Sequence, residues 1–135
     1  MIERVPMFWR RVAFFAYAAA LFVATHWPRL ELNVRGVERP DLLAHLLVFG
    51  AWFLLLFFSG LPGPTGLFRT VGRAWLIAAG YAAADEAMQL PGFVRRHAAW
   101  DDLAANLAGV SIGAILACGW ISLHRSRRTG DRSER

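Results

Sequence analysis

A chain of 135 residues has length for one domain and none for a soluble second module, and 56% of these residues are hydrophobic. The apolar residues stand in long blocks parted by short charged stretches, a membrane pattern, whereas a soluble domain intersperses them. All 15 basic residues are arginine, and the net charge of +5 sits in the flanks of those blocks, where topology and anionic headgroups account for it without nucleic acid.

A bilayer core of about 30 Å takes roughly 20 mostly apolar helical residues to cross, and four blocks come close. The first runs from Met7 to Trp27, with Arg10 and Arg11 near enough to its start to snorkel and Pro28 to end it. A cleaved signal peptide is the competing reading, but the run is long and lacks a polar segment before a cleavage site. The second block, Leu42 to Leu61, holds His45 as its only titratable residue, and SGLPGPTG after it must turn. The third, Ala74 to Leu90, carries Asp85 and Glu86 near its far end and closes at Pro91-Gly92. The fourth, Leu103 to Leu123, follows Asp101 and Asp102, which suit the N-cap and first turn, and leads into a basic tail over 124–135. The expectation is an all-α, single-domain bundle of four transmembrane helices.

Arginine accumulates in cytoplasmic loops. Arg4, Arg10, Arg11, Arg69, Arg73 and the five arginines of the tail fall on one side; Arg29, Arg35, Arg39, Arg95 and Arg96 fall on the other, balanced by Glu31, Glu38, Asp41, Asp101 and Asp102. Both termini are therefore expected in the cytoplasm.

This topology gathers the polar residues. Asp41 and His45 stand four residues apart at the outer end of the second helix, which puts them on one face. Asp85, Glu86 and Gln89 occupy the last outer turns of the third. Asp102 and Asn106, again four apart, open the fourth, and Gly109 and Gly113 continue their stripe as a GxxxG, a spacing that lets membrane helices approach closely. Gly80 and the alanines around it are the expected partner on the third helix. The loop before the fourth helix adds Arg95, Arg96 and His97. Carboxylates in hydrocarbon cost about 2.5 to 3.5 kcal/mol on insertion scales, so these groups are expected to face the bundle interior or water.

The stretches Asp41-Leu-Leu-Ala-His45, Asp85-Glu86-Ala-Met-Gln89, Arg96 and Asp102-Leu-Ala-Ala-Asn106 with Gly109 and Gly113 resemble, in this order, the DxxxH, DExxQ and DxxxNxxG motifs of the VanZ-like family. That family is named for an accessory protein of glycopeptide-antibiotic resistance. The resemblance covers about residues 40 to 114 and implies several membrane spans in a bacterial envelope, with no reaction attached. The family often carries a basic residue after the first Asp, where this chain has Leu42.

Three readings of the polar layer follow. In the first, Asp41, His45, Asp85, Glu86, Gln89, Arg96, Asp102 and Asn106 form a network that fixes helix packing. In the second, the layer is a pocket for the headgroup of a membrane lipid or lipid-linked cell-wall precursor: Arg95 and Arg96 hold a phosphate or carboxylate, the acids orient them, and Gln89 and Asn106 read neutral polar groups. In the third, His45 is a general base or nucleophile positioned by Asp41 or Asp85 and acting on a phosphate ester or amide, with Asp85 and Glu86 as further catalytic candidates and Arg96 stabilising negative charge. A metal held by His45, Asp85, Glu86 and Asp102 is a variant of the third, but zinc sites usually offer more nitrogen or sulfur. No metal or other cofactor is expected. Cys118 reads as packing, Trp9, Trp27 and Trp100 as interfacial anchors, and His26, His97 and His124 as interfacial residues.

Overall fold

The computed structural model describes residues 5–27, 36, 38–64, 66–89 and 100–133, with side chains up to Leu123, Gln89 excepted. Four helices form: α1 (Met7–Thr25), α2 (Pro40–Phe58), α3 (Leu67–Gln89) and α4 (Trp100–Ser133), with no strand among the described residues. Pro40 at the first turn of α2 suits a position whose N–H would go unpaired in any case. At the other end of α2 the Ser59 hydroxyl donates to the Leu56 carbonyl at 2.6 Å and accepts from the Leu61 N–H at 3.2 Å. Gly60, Gly63 and Gly66 then take φ of 75°, 83° and 89°, and this left-handed backbone turns the chain into α3.

α2 is the helix around which the others pack. Its buried residues, His45, Phe49, Trp52, Phe53, Leu56 and Phe57, recur at helical spacing, while Leu43 and Leu47 face outward. α3 buries Ala74, Ala78 and Ala82, and then Asp85 and Glu86, on a stripe of the same kind; α4 buries Ala105, Asn106, Val110 and Ala117. The polar residues are thus the last members of buried stripes, and the helix geometry that turns the stripes inward turns them inward too. α1 leans on α2 through Phe14, whose ring lies 5.2 Å from that of Trp52, and through the Tyr17 hydroxyl, which donates to the Val48 carbonyl at 3.0 Å. Its remaining surface, Phe8, Trp9, Phe15, Phe22 and Val23 among it, is exposed.

The tightest approach joins α2 to α4. A Cβ added at Gly109 would run into the Leu46 carbonyl, and one at Gly113 would lie 2.9 Å from the Gly50 carbonyl and 3.0 Å from Phe53. The partner of the GxxxG is therefore Gly50 on α2. Gly80 faces outward with nothing within reach of an added Cβ, because α3 turns its alanine stripe inward.

Three further expectations are corrected. α3 starts at Leu67, not Ala74, since no proline separates Gly66 from Arg73 and helix formation does not stop at a membrane boundary. α4 starts at Trp100, so Asp101 lies with Asp102 in the first turn and is not the N-cap. It also continues through the basic tail to Ser133. Among the described residues, three segments are long and apolar enough to cross a membrane: Met7–Thr25, Pro40–Phe58 and Trp100–Leu123. The charges of α3, Arg69 and Arg73 at one end and Asp85 and Glu86 at the other, keep it out of that set.

Overpacking a close helix crossing costs about 1 to 3 kcal/mol. Gly109→Ala is accordingly expected to lower the thermal midpoint of detergent-solubilised protein, while Gly80→Ala leaves it unchanged or slightly raised; fluorescence-detected size exclusion after heating reads both.

Candidate functional site

The chain reverses at each connection, so the end of α1, the start of α2, the end of α3 and the start of α4 lie at one end of the bundle. There the α2–α4 crossing sets His45 against α4. His45 Nδ1 lies 2.9 Å from Asn106 Oδ1, and since an amide oxygen only accepts, Nδ1 carries the hydrogen and donates it. The other ring nitrogen is turned toward Asp102, whose Oδ2 is 3.8 Å from Nε2. Asn106 is wholly buried and His45 nearly so, at 7% exposure. Asn106 Nδ2 and Asp102 Oδ1 are buried without a hydrogen-bond partner among the described residues.

A second group forms between α1 and α3 around Asp85, which is 1% exposed. The Thr25 hydroxyl donates to Asp85 Oδ1 at 2.8 Å, and His26 Nδ1 is 3.7 Å from the same oxygen. His26 Nδ1 also lies 2.9 Å from the Phe22 carbonyl, a group that only accepts, so here again Nδ1 bears the hydrogen. Tyr81, one turn before Asp85, stacks on Trp52 at 4.8 Å and borders Phe49 at 6.2 Å. Phe49 in turn lies 6.4 Å from the His45 ring, so aromatic side chains fill the space between the two polar groups. Glu86 is buried beside Asp85 on α3.

A third group is exposed. Arg39 Nη2 donates to Asp41 Oδ2 at 3.2 Å and to Asp101 Oδ2 at 2.7 Å, tying the first turns of α2 and α4 together one turn outward of His45. Hydrogen bonds to Asp41 and then Asp101 hold the Arg39 proton more tightly than in a free arginine.

Of the residues singled out from the sequence, His45, Asp102 and Asn106 come into contact, and Asp85 and Glu86 are buried at the same end. Asp41 does not position His45: its carboxylate is taken by Arg39. Asp85 does not pair with His45 either, because its side chain points to the end of α1. Gln89 closes α3, with its side chain outside the described residues, as are Arg95, Arg96 and His97 entirely. Among the described residues, no three of the His, Cys, Asp and Glu side chains gather as a metal site would require, so the metal variant built on His45, Asp85, Glu86 and Asp102 has no geometry behind it.

Sequence reasoning missed Thr25, His26, Arg39 and Gly50. His26 was legible: α1 runs toward the same end as the motif residues, so its last turn arrives where Asp85 does. Arg39 had a weaker signal in its place between two acidic helix starts. Gly50 had none beyond its small size.

Three apolar helices, a fourth lined with alanine and ending in acids, and polar side chains collected at one end define a small multi-pass membrane protein. Residues 43–122, more than half of the chain, match the VanZ/LLP1 family, and the protein belongs to that family. The matched segment holds α3 and most of α2 and α4; α1 lies before it. No curated protein and no solved structure matches the chain.

Removing the donor to a buried carboxylate costs about 1 to 3 kcal/mol. Thr25→Val, nearly isosteric, is therefore expected to lower the thermal midpoint through the loss of the α1–α3 contact, whereas Val23→Ala, at an exposed position, leaves it in place.

Proposed function

We propose that this VanZ/LLP1 protein spans a bacterial inner membrane four times, with both termini in the cytoplasm. Its polar end faces the periplasm and binds the headgroup of a lipid or lipid-linked cell-wall precursor, in the service of an envelope or antibiotic response. The observation that carries the binding reading is the pair of buried, unpartnered atoms beside His45, Asn106 Nδ2 and Asp102 Oδ1. A network serving only to fix the helices would close on itself, since buried polar groups are almost always satisfied in a finished structure. Here a donor and an acceptor are left over at the end of the bundle that this reading turns to the periplasm. Arg95 and Arg96 fall in the sequence between the end of α3 and the start of α4, both at that same end, which supports a role for their guanidinium forks toward a phosphate or carboxylate.

Four spans are supported by the way α3 carries its charges. Asp85 and Glu86 are buried in the bundle, and Arg69 and Arg73 stand in its first two turns, where long side chains reach the headgroups. The stretch between is apolar.

An enzymatic reading rests on His45, whose tautomer Asn106 fixes through Nδ1. It is the weaker reading. Asn106 contributes no charge to stabilise an imidazolium, and the nitrogen left to act as base is already turned to Asp102.

His45→Ala, Glu86→Gln and Arg96→Ala are expected to insert and accumulate normally and to abolish any drug-resistance phenotype that the wild-type chain confers. If all three merely lower protein level, the polar residues are structural. Native mass spectrometry of gently extracted protein separates the other readings: unmodified co-purifying lipid favours binding, and conversion on incubation favours an enzyme. Reporter fusions after Arg125 are expected to read cytoplasm and fusions near Glu38 periplasm; the reverse result places the polar end inside.

A further inference from the structure

Resting on the headgroup reading, we infer that the His45–Asp102–Asn106 group recognises hydroxyl groups, so that the favoured ligand is a lipid with a polyol or sugar headgroup. The inference comes from which atoms are left over. Asn106 gives its amide oxygen to His45 Nδ1 and keeps two N–H donors. Asp102 turns one carboxylate oxygen toward His45 Nε2 and keeps the other, which can only accept when ionised. Asn106 Nδ2 and Asp102 Oδ1 have no hydrogen-bond partner among the described residues, and Asn106 is fully buried.

The two leftover atoms sit on side chains one turn apart on α4, and both side chains border the same imidazole. The pair therefore presents a donor and an acceptor beside one imidazole. A phosphate ester oxygen satisfies the amide and is repelled by the carboxylate. An ammonium satisfies the carboxylate and offers nothing to the amide. A hydroxyl accepts from Asn106 and donates to Asp102 at once, and adjacent hydroxyls divide the two tasks. A site built to hydrogen-bond a hydroxyl rejects an analogue that lacks it, because its own buried groups are then left unpaired.

The Arg39 bridge lies one turn outward of this group and ties the starts of α2 and α4 together. Arg39, Asp41 and Asp101 are all substantially exposed there, and an exposed, screened ion pair is easily parted.

The discriminating probes are phosphatidylglycerol and phosphatidylethanol of identical acyl chains, which share the phosphodiester and its single charge and differ in the hydroxyls. The full-length protein, in a detergent without sugar or hydroxyl groups, is offered an equimolar mixture and analysed by native mass spectrometry. The expected result is a retained phosphatidylglycerol to phosphatidylethanol ratio of at least about five, as the loss of one hydrogen-bonded hydroxyl predicts. The ratio is expected to fall to near one in Asn106→Asp, which keeps an acceptor for His45 and removes the donor. Asp102→Ala, which removes the acceptor, is expected to behave likewise and serves should Asn106→Asp not fold. Equal retention of both lipids by the wild type overturns the hydroxyl inference and leaves the headgroup reading standing. A preference for phosphatidylglycerol that survives in the folded variants also overturns it, since the hydroxyls are then read elsewhere. Retention of neither lipid overturns both.

Discussion

Inside a bilayer, apolar helices gain nothing by leaving lipid for one another, so their association depends on close packing and on polar contacts. In this chain both are supplied by the α2–α4 crossing. Gly109 and Gly113 let α4 lie against the backbone of α2 at Leu46 and Gly50. One turn further along the same faces, that proximity brings Asn106 within hydrogen-bonding distance of His45. A bulkier residue at Gly109 would part the helices at their closest point and draw the amide off the imidazole. The polar group is a consequence of the glycine contact and cannot be assembled without it.

The bundle is chemically lopsided in a way that follows from its stripes. On α2 the inward face is aromatic and aliphatic from Phe57 to Phe49 and ends in His45; on α3 it is alanine from Ala74 to Ala82 and ends in Asp85 and Glu86; on α4 it runs from Ala117 to Val110 and ends in Asn106. The apolar length fixes how the helices pack, and the polar ends then face one another with no freedom to turn to lipid. Phe49, Trp52 and Tyr81 form the boundary between the two regimes.

Much of this was legible in the sequence. Block lengths give the helices, and spacings of four place Asp102 with Asn106 on one face and continue it to the glycines. Partner choice was not legible. Spacing shows that Asp41 and His45 share a face, yet Arg39, two residues before Asp41, takes the carboxylate because it is adjacent and oppositely charged. Gly50 and Gly80 look alike as letters, and only the rotation of each helix decides which one meets Gly109. His26 passed for an ordinary interfacial histidine although α1 runs toward the end where α3 stops, because spacing within α1 names no partner for it. Helix length and membrane crossing also parted company in α3 and α4, whose helices run on through charged residues that mark the edge of a span without ending a helix.

α1 stands apart from the segment that defines the family, and its mode of attachment has a mechanical consequence. Near its start Arg10 donates to the Phe58 carbonyl at 3.3 Å, and at its end Thr25 donates to Asp85, while most of its flank lies bare. At 1.5 Å per residue its 19 residues measure about 28 Å, close to the thickness of the hydrocarbon. A helix free at its ends answers a thinner or thicker bilayer by tilting, at a cost of fractions of a kcal/mol per ångström. One fastened at both ends cannot tilt alone, and passes the load to its fastenings. α1 is thus tied to the bundle at each end and tilts only with it.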